Sequence, residues 1–343
     1  MYGVSSLEAI AQGTKPELLG YAFILAEVAK IVIAIAFLVI FNSGLQAVIV
    51  IIIITQLFQF ALLFYLNRSH LKSGFDQSLA RYWLRLSWLP MVSALPGLIS
   101  TFDVAIVSSF TRSVEAIAFY KAAFLLANFI TYSQYIGIAL YPKIIRNRDS
   151  KDVESVLKLI LLFLVPLSIG TWIMSEPLLH VLKNSYVGSE DALLFLVPFA
   201  VTIVFYIFFD WIIGGTDNTE LENSVSVKGL LKSKLFLMPK IGIFYFSTYL
   251  VVLYVLMFFT VHVYEDDSPS GIATYWAIAA MITSIPFTLY KGIRAWSFLK
   301  FNIPLNSLLK YLLAVAPMAV TLYFLKQLID FGLPKISFAI VLL

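Results

Sequence analysis

Asp103 stands in the stretch LISTFDVAIVSSF, a single carboxylate among apolar and hydroxyl-bearing residues. Near the centre of a membrane helix a carboxylate costs roughly 2.5–3.5 kcal/mol, so it has to face protein or a wet cavity. Two chemistries suit such a residue: taking up a coupling cation, or positioning a polar head group. The structural alternative is a protonated or hydrogen-bonded Asp that clamps a neighbouring helix. Pro90, Pro96 and Gly97 precede it and can break the helix. Freed backbone groups are tolerated at membrane depth only where they are buried in protein or line a cavity.

In the following apolar run Lys121, Asn128, Tyr132 and Tyr135 recur at intervals of seven, four and three. On an α-helix that spacing makes one stripe. Lys, Asn and Tyr together suit a ligand bearing anionic phosphates and hydroxyls. The alternative is an aromatic interface belt with a snorkelling Lys121. Glu27 and Lys30 are three residues apart in another apolar run, close enough to pair on one helix face, which favours a packing role. Asp210 lies beside Trp211 near a span end, where the reading is an interfacial charge. YEDDSP at 264–269 reads as solvated acids rather than a metal site, since only His262 lies nearby. The sequon NRS at 67–69 falls on the side where it would not be used.

These residues are carried by a chain of 343 residues that is 60% hydrophobic and 13% charged, with mean hydropathy +0.90. Ordinary globular domains hold roughly 25% charged residues. The composition predicts an all-α integral membrane protein, a polytopic helix bundle. The chain has no cysteine, so disulfides and thiolate metal sites are excluded, and no cofactor or metal is expected. A net charge of +4 is too small to argue for nucleic acid. A span needs about 20 apolar residues. Complete spans are expected at 18–41, 45–66, 86–110, 119–141, 156–179, 192–214, 238–262, 271–292 and 305–326. A tenth begins near Ile336, and residues 1–12 read as the tail of an earlier helix, so the chain is expected to be a piece of a longer protein. If the turn at Gly13–Glu17 is cytoplasmic, eighteen of the 24 basic residues fall at cytoplasmic loops and helix ends, and five outside. The positive-inside rule expects such a bias. Every outer loop is then short, which argues against a membrane glycosyltransferase or polymerase.

AQGTKPELL at 11–19 and IGGTDNTEL at 213–221 punctuate the chain alike, with an apolar run ending at a Gly-Thr pair on the same expected side. LISTFDVAIVSSF, SVEAIAFYKAAFLLANFI, GIALYPKIIRN and the run from Leu161 to Ala200 follow in an order that resembles the C-terminal lobe of the polysaccharide (oligosaccharide-lipid) flippases. That family belongs to the multidrug/oligosaccharidyl-lipid/polysaccharide exporter superfamily. Tyr141, Pro142 and Lys143 resemble its aromatic-Pro-Lys-Ile at a cytoplasmic helix end. Gly214 and Gly215, and likewise Gln12 and Gly13, resemble its Gln-Gly-x-Gly turn.

The resemblance implies two six-helix lobes related by a pseudo-twofold, of which this chain lacks the first helices. It places an N-terminal lobe remnant at 1–66, a cytoplasmic inter-lobe loop at 67–85, a C-terminal six-helix lobe at 86–292 and additional spans at 293–343. The implied function is a non-enzymatic transporter, a flippase moving a polyprenyl-linked oligosaccharide to the outer leaflet of the cytoplasmic membrane. Its implied partners are that lipid-linked oligosaccharide, membrane lipids and glycan-assembly enzymes. A cation-coupled multidrug exporter of the same superfamily is the nearest alternative, and a membrane-embedded glycosyltransferase the more distant one.

Overall fold

In hydrocarbon every backbone N–H and C=O must be satisfied within its own segment, so long apolar runs fold as helices. The computed structural model describes residues 2–14, 16–40, 44–68, 77–78, 81, 84, 87–111, 113–139, 144, 149–217 and 227–330. Among these the regular elements are helices alone. Nine helical segments among the described residues are long and apolar enough to cross a membrane. The protein is a multi-pass, all-α membrane protein.

The chain separates into two compact units, residues 1–84 and 85–343. The first holds α1 (Tyr2–Thr14), α2 (Pro16–Ala34, continued as a π-helical turn Ile35–Ile40) and α3 (Gly44–Asn67). Polar contacts fasten α1 to α3: Gln59 Nε2 donates to Glu8 Oε1 at 2.9 Å, and the Asn67 amide donates to the carbonyls of Leu63 and Leu7. The buried Asn67 of the sequon is therefore already committed to packing. Glu27 and Lys30 pair as their spacing requires, Nζ to Oε1 2.6 Å.

The second unit runs α4 (Trp88–Ser100), α5 (Phe102–Phe110), α6 (Val114–Thr131), a 3₁₀ segment Tyr132–Ala139, α7 (Ser150–Ile173), α8 (Ser175–Leu182), a 3₁₀ turn Asn184–Ser189, α9 (Glu190–Gly215), α10 (Val227–Lys232), α11 (Lys234–His262), α12 (Pro269–Phe298) and α13 (Leu305–Asp330). The most extensive pairing is α9 on α12. On α12 the buried residues Ala273, Ala277, Ala280, Ser284, Thr288, Lys291 and Ala295 recur every three or four positions. Small side chains let two backbones approach closely where apolar burial alone gives no drive toward association. The polar ones bind across: Thr202 Oγ1 and Ser284 Oγ are 2.7 Å apart, and Thr288 Oγ1 donates to the Thr202 carbonyl.

One expected span and one expected loop are revised. The span set at 156–179 starts at Ser150, because Asp149 caps it by accepting from Lys151 N, and ends at Ile173, where Met174 opens a separate short helix. Ser175 then donates to Glu190, while Lys326 of α13 bridges Glu176 and Glu190. The acidic loop at 264–269 is more than solvated charge. Asp266 accepts from Ser268 N, and Ser268 in turn caps α12 through Gly271 N. A side chain at Gly271 would collide with Asp266, so the tight cap requires glycine there.

Both Gly-Thr pairs end helices. Gln12 and Gly13 lie in the last turn of α1, Gly214 and Gly215 in the last turn of α9. The second turn is stapled to the start of α11: Lys234 Nζ donates to the Thr216 carbonyl and Leu235 N to Asp217. Tyr141, Pro142, Lys143 and the expected span from Ile336 lie outside the described residues.

Candidate functional site

Asp103 sits in the first turn of α5, directly after the interruption at Thr101 that separates α4 from α5. Pro96 lies inside α4, and it packs close to Gly242 of α11, where an added Cβ would come within 2.8 Å of its ring. α4 runs unbroken through Pro96 and Gly97 to Ser100, and glycine on the facing helix leaves room for the Pro96 ring. The new helix start offers its Val104 N–H to Asp103 Oδ1 at 2.6 Å.

The other carboxylate oxygen accepts from Tyr249 Oη of α11 at 3.3 Å. Tyr249 Oη itself accepts from Trp276 Nε1 of α12 at 2.7 Å. Tyr249 and Trp276 are buried, and a buried hydroxyl or indole N–H left unpaired is costly. Tyr249 therefore passes the indole's hydrogen bond on to the carboxylate. Tyr120 of α6 stacks flat on Trp276, ring centroids 3.9 Å apart and planes 3° from parallel. The Lys121 ammonium stands beside this stack, 5.4 Å from the Trp276 centroid and 5.5 Å from that of Tyr120, within cation–π range.

Asp103, Tyr120, Lys121 and Tyr249 line a cavity of about 350 Å³ formed by α4, α5, α6, α9, α11 and α12, with Trp276 buried behind them. It brings together Asp103, Lys121 and Asn128, three of the five residues expected to act together, and adds Tyr120, Tyr245 and Tyr249. Among the described residues Asp103 forms no ion pair, and neither does Lys121. The cavity thus presents a carboxylate, an ammonium, an amide and several aromatic faces. Asn128 Oδ1 accepts from Thr131 Oγ1, which orients its amide. A solute with both charges or with hydroxyls on a ring meets suitable partners there.

Tyr132 and Tyr135 do not line this cavity. They are exposed, and their rings lie 5.9 Å apart. The reason is a change of period: α6 ends at Thr131 and the chain continues as 3₁₀ helix, in which positions three apart eclipse. The stripe read at α-helical spacing therefore stops at Asn128.

Asp210 corrects an expectation. Its side chain, 26% exposed, is half of an ion pair between α9 and α12 rather than a lone interfacial charge. Lys291 Nζ lies 2.6 Å from both carboxylate oxygens, and its side chain is 1% exposed. The ammonium also sits 3.1 Å from the Tyr206 ring centroid. Tyr206 packs on Tyr245 at 5.4 Å, and Tyr245 is a wall of the Asp103 cavity. Tyr245 thus touches both polar clusters. The pairing was not legible because Asp210 and Lys291 are 81 residues apart and each looks like an interface residue on its own span.

Comparison of the chain with family models, with curated proteins and with solved structures finds no match.

Proposed function

We propose that the protein is a membrane transporter whose second unit receives the polar part of an amphipathic cargo in the Asp103 cavity. The observation that carries this reading is the cavity itself. It opens within a bundle of apolar helices and gathers a carboxylate and an ammonium without ion-pair partners among the described residues, an amide and tyrosine rings. Ionisable groups at such a depth mark substrate or ion pathways.

The cargo that fits best is a polyprenyl-linked oligosaccharide, carried from the cytoplasmic to the outer leaflet of the cytoplasmic membrane. Phosphates suit Lys121, and sugar hydroxyls suit Asp103 and Asn128. Sugar rings pack on the Tyr and Phe faces of the lining, while the lipid tail stays in the bilayer. Alternation of access by rocking of repeats is the general means for such a cleft. The order of sequence features that resembles the flippases supports the same reading. A cation-coupled multidrug exporter of the same superfamily is favoured only to the extent that Asp103 alone binds the coupling cation.

The test is the lipid-linked oligosaccharide content of cells lacking the gene. Accumulation of the finished carrier on the cytoplasmic face, relieved by restoring the gene, is the expected outcome. Unchanged carrier levels accompanied by new drug sensitivity would replace the flippase with the exporter.

A further inference from the structure

A second cavity, about 420 Å³, lies between α11 and α12 and shares none of its lining residues with the Asp103 cavity. On α11 it is lined by Leu237, Lys240, Ile241 and Phe244, whose spacing of three, one and three puts them on one face. On α12 the facing residues include Phe287, Tyr290 and Arg294. The helices run antiparallel, so the polar and apolar parts separate by depth. Lys240, Tyr290 and Arg294 lie toward the end where α11 starts and α12 finishes. Phe244 and Phe287 lie further along.

The polar end is prepared for an anion. Arg294 Nε donates to Tyr290 Oη at 3.1 Å, which holds the guanidinium beside the groove. Among the described residues neither Lys240 nor Arg294 has a carboxylate partner within ion-pair distance. Both are exposed. Lys228, Lys232, Lys234 and Lys300 crowd the same end of the two helices in sequence, which the positive-inside rule assigns to the cytoplasmic leaflet. An apolar groove with two cations at one end, without carboxylate partners among the described residues, has the charge order of one phospholipid: phosphate at the basic end, acyl chain along the groove.

We propose that this groove is a binding site for an anionic glycerophospholipid of the inner leaflet, with Lys240 and Arg294 holding the phosphate and Phe244 and Phe287 packing on an acyl chain. Each basic group near the surface contributes modestly, so the two together give a preference for anionic over zwitterionic lipid of about tenfold or more. The site does not depend on what the transporter carries.

The experiment is native mass spectrometry of the purified full chain in detergent, titrated with phosphatidylglycerol or with phosphatidylcholine of the same acyl chains. Phosphatidylglycerol should be retained about tenfold better. The preference should vanish in Lys240→Gln/Arg294→Gln and persist in Lys240→Arg/Arg294→Lys. Phe244→Trp, which fills the groove without touching the charges, should weaken retention as well. Equal retention of the two lipids by the wild-type chain would overturn the proposal, and so would full retention of preference in the Gln double variant. Displacement of the lipid by millimolar inorganic phosphate would show a site for the free anion and would also overturn it.

Discussion

Asp210 and Asp103 belong to the same helical unit, yet they are treated in opposite ways. Asp210 is closed: Lys291 grips both its oxygens, and Tyr206 covers the ammonium. Among the described residues Asp103 accepts from two neutral donors, Val104 N–H and Tyr249 Oη, and it faces a cavity that Lys121 also lines. The difference is one of available cations. Lys291 reaches Asp210 across the tightly packed α9–α12 pair, where small residues bring the backbones together. Lys121 is spent beside the Tyr120–Trp276 stack and makes no ion pair with Asp103. A compensated buried pair builds the bundle. A carboxylate left with neutral partners beside an open volume is available for a ligand.

Several substitutions break or sharpen that contrast. The largest effect belongs to the closed pair: Lys291→Met leaves Asp210 without its cation and should lower stability in detergent by about 3 kcal/mol. Adding Asp210→Asn should recover much of that loss, as thermal or denaturant unfolding of the single and double variants will show. A double variant no more stable than the single would mean that the pair is not the unit that matters. Next, Gly242→Val drives a side chain into Pro96 and should cost about 1–3 kcal/mol. Because α4 and α11 both line the Asp103 cavity, pushing them apart should also reduce ligand protection of Lys121 from amine labelling. Tyr249→Phe is smaller. It removes the hydroxyl joining Trp276 to Asp103 and should cost about 1–2 kcal/mol, since the indole N–H is left buried without its acceptor. Unfolding midpoints of Tyr249→Phe alone and with Trp276→Phe should be non-additive, because both variants interrupt one relay.

Part of this was legible in the sequence and part was not. Long apolar runs fixed the helical class because hydrocarbon leaves the backbone no other solution. Asp103 was legible for the same reason: a carboxylate in such a run must be accounted for. The interruption at Thr101 was not legible: α4 continues through Pro96 and Gly97, where a break was expected, and ends only at Ser100. Tyr120, Tyr249 and Trp276 carried no signal, because aromatic residues in apolar helices mostly pack, and only the tertiary contacts separate these three from the other rings. Asp210 misled because hydropathy reports depth along one span and says nothing of which face of another span, here the one carrying Lys291, lies opposite. Tyr132 and Tyr135 misled because the switch from α to 3₁₀ helix after Thr131 is not written in residue type.

The most direct measurement compares transport and stability for Asp103→Asn and for the paired variant Asp210→Asn/Lys291→Met. Wild type and both variants would be reconstituted with a labelled lipid-linked oligosaccharide, and its transfer between leaflets followed alongside detergent unfolding. The proposed transporter reading predicts that Asp103→Asn loses about tenfold or more of the transfer rate, the loss of one charge-assisted contact, with an unfolding midpoint close to wild type. The paired variant should keep transfer in proportion to its folded fraction. Wild-type transfer by Asp103→Asn, in a chain that does transfer the lipid, would contradict the account.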